Sequence, residues 1–332
     1  MKKHATTIVL LVLIVVVSLV SIFIGAYNLT LSSLLSGEDS NQLMLLLVSR
    51  IPRLLAILCT GIGMSVAGLI MQNLCMNKFV SPTTGATLSS AQLGIIISLT
   101  FFPTANLALR SAFAFIFSIL GTLVFIWFTQ QIKLKDVIMV PLIGIMFNSV
   151  IGGFVSHIAY ENDLTQILSN MLVGDFSLIL AGRYEIVFLI LPLVIIAFIY
   201  SNHFNIVGMG ENFSTNLGVN FKFVMCLGLI IAAIISASVV VTVGTISYIG
   251  LIIPNIVSMF KGDRIKGNLI DVALFGALFV LVCDIVGRVV NRPFEMPIEL
   301  ISGIIGSGLF IWMLLQRLNP GKKKKKAVTK HA

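Results

Sequence analysis

Residues 50–86 read RIPRLLAILCTGIGMSVAGLIMQNLCMNKFVSPTTGA. Two arginines, Arg50 and Arg53, head an apolar, glycine-rich run that closes on Gln72-Asn73, Asn77-Lys78 and Ser81-Pro82. As a helix, Ile51 to Leu74 extends ~36 Å at 1.5 Å per residue, enough to cross a hydrocarbon core of ~30 Å. A purely structural membrane helix has no need of a doubly cationic mouth, a small-residue seam and an amide-bearing exit together. The combination reads as a pathway lining, with a docking face at one end and a gate at the other.

The rest of the chain agrees on a membrane setting. Of 332 residues, 58% are hydrophobic and 11% charged, with a mean hydropathy of +1.06. Soluble domains carry ~25% charge, and no water-soluble fold hides this much apolar surface. The apolar runs are long and continuous, whereas a β-barrel shows ~10-residue alternating segments. The expected fold is an all-α polytopic membrane protein, because backbone groups in lipid must be satisfied internally.

Ten runs qualify as spans, at roughly 6–26, 51–74, 84–102, 110–131, 137–159, 185–201, 222–242, 247–260, 269–290 and 298–316. The first follows Lys2-Lys3-His4; a signal peptide is the other reading, disfavoured by the lack of a small-residue cleavage site before a soluble domain. The eighth is short and broken by Pro254, a pattern of segments that line a protein interior or cavity. An even number places both termini on one side. With that side cytoplasmic, 16 of the 22 cations fall inside, every lysine among them, as the positive-inside rule asks. The six outer cations are all arginines: Arg50, Arg53, Arg110, Arg183, Arg288 and Arg292. Headgroup anchoring or a local ion pair accounts for such residues as well as a functional role does. Asp284 and Arg288, spaced i,i+4, can pair on one helix face.

Several chemistries have no residues to run on. No phosphate-binding loop, H-E-x-x-H or G-x-S-x-G occurs. The four histidines are scattered, and Cys59, Cys75, Cys226 and Cys283 form no C-x-x-C pair, so a metal or redox centre is not expected and the cysteines read as packing residues. Membrane-embedded acids are sparse, whereas ion-coupled transporters place ionisable groups near the midplane. The net charge of +9 is concentrated in a tail with Lys322 to Lys326. After a membrane helix, such a tail marks a cytoplasmic end near anionic lipid rather than a nucleic-acid site.

The loop 202–221, NHFNIVGMGENFSTNLGVNF, is the longest inner connection. Ile206, Val207 and Met209, then Phe213, Leu217 and Val219, read as two short amphipathic pieces, with Gly208, Gly210 and Gly218 permitting tight turns. A helical knob for a cytoplasmic partner and a loop folded back on the bundle both fit. Small residues recur at Gly61, Gly63, Ala67 and Gly68, at Gly144, Gly152 and Gly153, and at Gly303, Gly306 and Gly308; these read as close helix packing.

Several of these segments, in this order, resemble the permeases of iron–siderophore and vitamin B12 ABC importers: Arg50-Ile-Pro-Arg53, Gly61, Gly68, Gln72 and Asn77; Gly208-Met-Gly210-Glu211 with Asn216-Leu-Gly218-Val219; Gly250-Leu-Ile-Ile-Pro254-Asn255; Asp284 to Arg288; and the closing Gly303 to Leu315 segment. The resemblance covers about residues 5 to 318. Asn255 stands where the family commonly has His, Ser258 where it has Arg, and Cys75 to Val80 replaces the usual run. The Lys78 to Thr84 string and the Pro254-Asn-Ile-Val-Ser258 run are similar to the branch handling catecholate siderophores such as petrobactin.

The resemblance implies a ten-helix permease domain over 1–318, with both termini cytoplasmic and a basic tail over 319–332. It implies a bacterial plasma-membrane importer that moves ferric siderophore, with haem or cobalamin as the alternative cargo and an ion-gradient-driven transporter as a remoter one. The chain is then no enzyme and holds no cofactor or metal; ATP and Mg belong to two partner ATPases. A second permease subunit, identical or homologous, and a substrate-binding lipoprotein complete the assembly. Arg50, Arg53 and Arg288 correspond to lipoprotein-docking arginines; Gln72, Asn77, Phe79 and Asp136 to the cytoplasmic gate and pathway; and Gly208, Gly210, Glu211, Leu217 and Gly218 to the ATPase-coupling loop.

Overall fold

The computed structural model describes residues 2–25, 40–83, 86–131, 139–262, 265–292 and 294–318. Asp136 of the expected gate and the 319–332 tail lie outside these residues. Among the described residues all regular structure is helical. In chain order the helices are α1 (Lys2–Phe23), α2 (Ser40–Leu45), α3 (Ile51–Leu74), α4 (Thr87–Phe101), α5 (Leu107–Gln131), α6 (Met139–Glu161) and α7 (Thr165–Leu172). Then come α8 (Ile190–Ile199), α9 (Ser201–Val207), α10 (Glu211–Asn216), α11 (Phe221–Thr242), α12 (Ile249–Lys261), α13 (Ile265–Val290) and α14 (Ile298–Leu318).

Each of the ten apolar runs coincides with one of these helices. Among the described residues seven stretches are long and apolar enough to cross a membrane, and an eighth counts if Glu185–Ile199 and Ser201–Val207, bent by 63°, form one span. The helices Thr87–Phe101 and Ile249–Lys261 are apolar but shorter.

The second span begins earlier than its sequence indicates. The apolar run reads as 51–74, yet the helix continues upstream through a π turn, Leu46–Arg50, into α2. Pro52 has no N–H for the Val48 carbonyl. The Ala181 N–H donates to that carbonyl at 2.9 Å.

Helix α3 is the axis of the fold. It is packed by α13, α11, α12 and α8, while α4 pairs with α5 and α1 lies against α13. Glycines make these approaches possible. A side chain at Gly61 would collide with the Gly276 and Ala277 backbone of α13, and one at Gly68 with the Gly250 backbone of α12. Such contacts need residues without a Cβ and contribute through dispersion and interhelical polar contact rather than exclusion of water. The other small-residue sets divide: Gly306 seats the Tyr248 ring, but Gly152 and Gly153 on α6 and Gly303 and Gly308 on α14 face open space. Packing among the described residues therefore does not account for those four. Cys59 and Cys283 are buried free thiols; Cys226 is exposed, contrary to a packing role.

Candidate functional site

The predicted residues fall at opposite ends of α3. The docking set lies at its N-terminal end and the gate and loop sets at its C-terminal end, ~30 Å apart along the helix axis.

At the first end, Arg50, Arg53 and Arg288 form one buried cluster, each less than a tenth exposed. Arg53 pairs through Nη2 with Asp284 Oδ1 at 2.7 Å and through Nη1 with Glu295 Oε2 at 2.6 Å. Arg288 pairs with the other oxygen of Asp284 at 2.5 Å, so the i,i+4 pair forms as expected. Among the described residues, the end of α1 adds neutral acceptors: Arg50 Nη1 donates to the Ile24 carbonyl at 2.7 Å, and Arg288 Nη1 donates to the Ser21 and Ile24 carbonyls at 2.9 and 2.7 Å. Arg288 Nη2 also donates to Ser21 Oγ. The last carbonyls of a helix lack intrahelical partners and carry its negative dipole end, so guanidinium groups suit them.

These arginines are turned inward, and each has an acceptor within the chain. Sequence reading located them but missed Glu295, far along the chain, and the α1 carbonyls. The signal for the latter was the apolar run ending at Ile24-Gly25 with no capping side chain. Gly25 lies against the Arg50 guanidinium, where a Cβ would overlap it. Gly25→Ala is expected to destabilise the protein by about 1–3 kcal/mol through overpacking, read as a lower melting temperature in detergent. An unchanged melting temperature would show that Arg50 is not seated there.

At the other end, α3 closes at Cys75, and Met76 turns the chain with φ of 49°. The Asn77 N–H donates to the Gln72 carbonyl at 2.9 Å, and Asn77 Oδ1 accepts from the Phe79 N–H at 2.9 Å. Phe79 meets Phe310 of α14 edge-on, with centroids 6.2 Å apart. Gln72 Nε2 donates to the Gly250 and Leu251 carbonyls of α12 at 3.2 and 3.1 Å. Asn255 Nδ2 donates to the Lys78 and Leu251 carbonyls, both at 2.7 Å. Gln72, Asn77 and Phe79 are thus brought together with α12, whose part the Pro254 break had marked. A cavity of about 200 Å³ beside them is lined by Gln72, Asn73, Asn77, Lys78, Gly208 and Ser258, among others.

The loop folds as two short helices, α9 and α10, as its patterning indicated. Phe204 and Val207 are fully buried and anchor α9. Ser214 Oγ ties α10 back with bonds to the Gly210 and Ile206 carbonyls at 2.7 and 3.1 Å. Gly210 and Gly218 have φ of 106° and 75°, values that glycine adopts without strain. Gly208 has ordinary helical geometry and instead backs onto the Asn73 carbonyl. Glu211 is exposed at the first turn of α10. Met209, Phe213 and Leu217 are 57%, 48% and 56% exposed, an apolar surface on a loop whose anchoring side chains are already buried.

Comparison with known proteins places this architecture. The model of the FecCD transport family matches residues 11–316. The petrobactin import system permease protein YclN of Bacillus subtilis is 46% identical over 310 residues, covering 93% of this chain and 97% of that one. The ferric-anguibactin transport system permease protein FatD of Vibrio anguillarum is 39% identical, covering 89% and 94%. A metal-chelate type ABC transporter solved in an inward-facing conformation superposes with a TM-score of 0.80 at 25% identity, covering 93% of this chain and 98% of that one. With a buried axial helix, many apolar helices and a family match over nearly its whole length, the chain belongs to the FecCD transport family and is a multi-pass membrane permease rather than an enzyme.

Proposed function

We propose that this chain is the permease subunit of an ATP-driven importer that carries ferric siderophore of the catecholate type across the bacterial plasma membrane. The observation that carries the reading is the 46% identity to a petrobactin permease over 97% of that protein's length. The domain spans 1–318 and crosses the membrane ten times, the two shorter apolar helices included, with both termini and the basic 319–332 tail cytoplasmic. The distribution of lysines supports that orientation.

Substrate passes between this subunit and a second permease, identical or homologous. The faces of α6 and α14 where a Cβ added at Gly152, Gly153, Gly303 or Gly308 would meet nothing within 4 Å among the described residues suit close approach of another helix. A substrate-binding lipoprotein docks over the Arg50, Arg53 and Arg288 cluster. Glu295, whose side chain is 25% exposed, is the more exposed of the two described carboxylates, and a partner carboxylate exchanges with it on Arg53 Nη1 through the same charge-assisted hydrogen bond. Gln72, Asn77, Phe79 and Asp136 form the gate. The exposed face of α9 and α10, with Gly208, Gly210, Glu211, Leu217 and Gly218, seats on the ATPases, which hold ATP and Mg; this chain needs no cofactor of its own. Iron travels inside its chelator.

Cargo is tested by uptake of radiolabelled iron in cells whose only importer of this family contains this chain. Ferric catecholate is expected to be taken up and to resist competition by excess hemin or cobalamin. Uptake of either competitor in place of ferric catecholate would contradict the assignment. Topology is tested with cysteine at Lys323, which is expected to react with an impermeant maleimide only after the membrane is opened; labelling of intact cells would reverse the orientation.

A further inference from the structure

The end of α3 forms a joint with α12 and the 201–219 loop. Pro254 has no N–H for the Gly250 carbonyl one turn before it in α12. The donor comes from another helix: Gln72 Nε2 bonds that carbonyl and the next, Leu251. One turn earlier on α3, Gly68 touches the Gly250 backbone with no room for a side chain. Backbone meets backbone at Gly68 and Gly250, and the amide link lies just beyond that contact. Asn255, the residue after the proline, extends the link by donating to both Leu251 and Lys78. The turn after α3 is therefore held by α12 from one side.

From the other side the same last turn of α3 meets the loop. Gly208, at the end of α9, has the Asn73 carbonyl and Oδ1 within 3.2 and 3.3 Å of where its Cβ would stand. Gly208 and Gln72 also line the same cavity of about 200 Å³, so the joint has free volume beside it and can change shape without compressing a packed core.

We infer that Gln72 and Asn255 are positioning residues that convert displacement of the 201–219 loop, received by α3 at Asn73, into displacement of the 76–80 turn. The inference rests on the reading of that loop as the ATPase contact. It assigns the amides a transmitting role, distinct from lining the pathway or merely satisfying a carbonyl.

The experiment uses the permease reconstituted in proteoliposomes with its ATPase and lipoprotein. It reads ferric catecholate transported per ATP hydrolysed, together with the melting temperature of the complex. Gln72→Leu is expected to lower transport per ATP at least fivefold. In Gln72→Leu/Pro254→Ala, residue 254 regains an N–H for the Gly250 carbonyl. The melting temperature is then expected to recover while transport per ATP stays at least fivefold low, because α3 and α12 remain untied. Recovery of both would make Gln72 a carbonyl partner only and overturn the proposal. Pro254→Ala alone keeps both amide links and is expected to keep the wild-type ratio; a low ratio there would move the role from the amide to the proline and also overturn it. Asn255→Leu, which cuts the second link and leaves Gln72 in place, decides the matter if the Gln72 variants fail to assemble: it is expected to lower the ratio at least fivefold, and a wild-type ratio would overturn the proposal. Absence of ATP-driven uptake in the wild-type complex would remove the importer reading and the inference with it, whereas normal uptake in wild type and all variants removes the inference alone.

Discussion

Asp284→Asn is expected to abolish recovery of folded permease, although the change is isosteric. Asp284 is 3% exposed and holds Arg53 and Arg288 on separate oxygens. Asparagine cannot neutralise either guanidinium, and removing one partner of a buried ion pair typically destabilises by about 3–5 kcal/mol. Glu295 still reaches Arg53, but Arg288 is left with neutral oxygens of α1 alone. The expected readout is aggregation on gel filtration or a strongly lowered melting temperature. Asp163→Asn, an exposed acid already at φ of 56°, serves as the control and is expected within about 0.5 kcal/mol of wild type. A monodisperse Asp284→Asn protein melting with wild type would show that the cluster does not hold α1, α3 and α13 together. The same geometry dictates how docking must be probed. Arg53→Glu would gather three carboxylates in a buried site and test folding instead. Glu295→Gln keeps the shape and changes only the competing charge.

The second large effect is expected at the loop. Phe213→Asp/Leu217→Asp removes apolar surface that is half exposed and makes no contribution to the core, so the melting temperature of the isolated permease is expected to stay near wild type. Loss of a central apolar anchor costs an interface about 2 kcal/mol or more, roughly thirtyfold in affinity. Co-purification with the ATPase and ATP-driven uptake are both expected to fall by at least that factor. Full retention of the ATPase by the double variant would show that this face is not the contact.

Much of the fold was legible because membrane helices are read by length and continuity. Apolar runs such as Phe221 to Thr242 have no competing interpretation, and the loop helices followed from apolar patterning between glycines. The helix upstream of Ile51 was not legible for a local reason: the Ala181 N–H that meets the Val48 carbonyl lies too far along the chain to be read. The candidate site divided in the same way. The positions of Arg50, Arg53 and Arg288 were visible as outliers in the charge pattern. The Asp284–Arg288 pair was legible from its i,i+4 spacing. The other acceptors were not, because Asp284 also serves Arg53 on a different helix, Glu295 lies 242 positions from Arg53, and backbone carbonyls have no sequence signature. Gln72 stood out as a polar end to an apolar helix, but its acceptor on α12 depended on a proline reached only in three dimensions.

The most direct test of the central claim is the energy source of uptake. Proteoliposomes would contain the permease and its ATPase, with lipoprotein and ferric catecholate supplied on the lipoprotein side and nucleotide on the ATPase side. The account predicts accumulation with ATP and Mg, none with a non-hydrolysable analogue, and no response to an imposed proton or sodium gradient. Accumulation driven by such a gradient in the absence of ATP would contradict it.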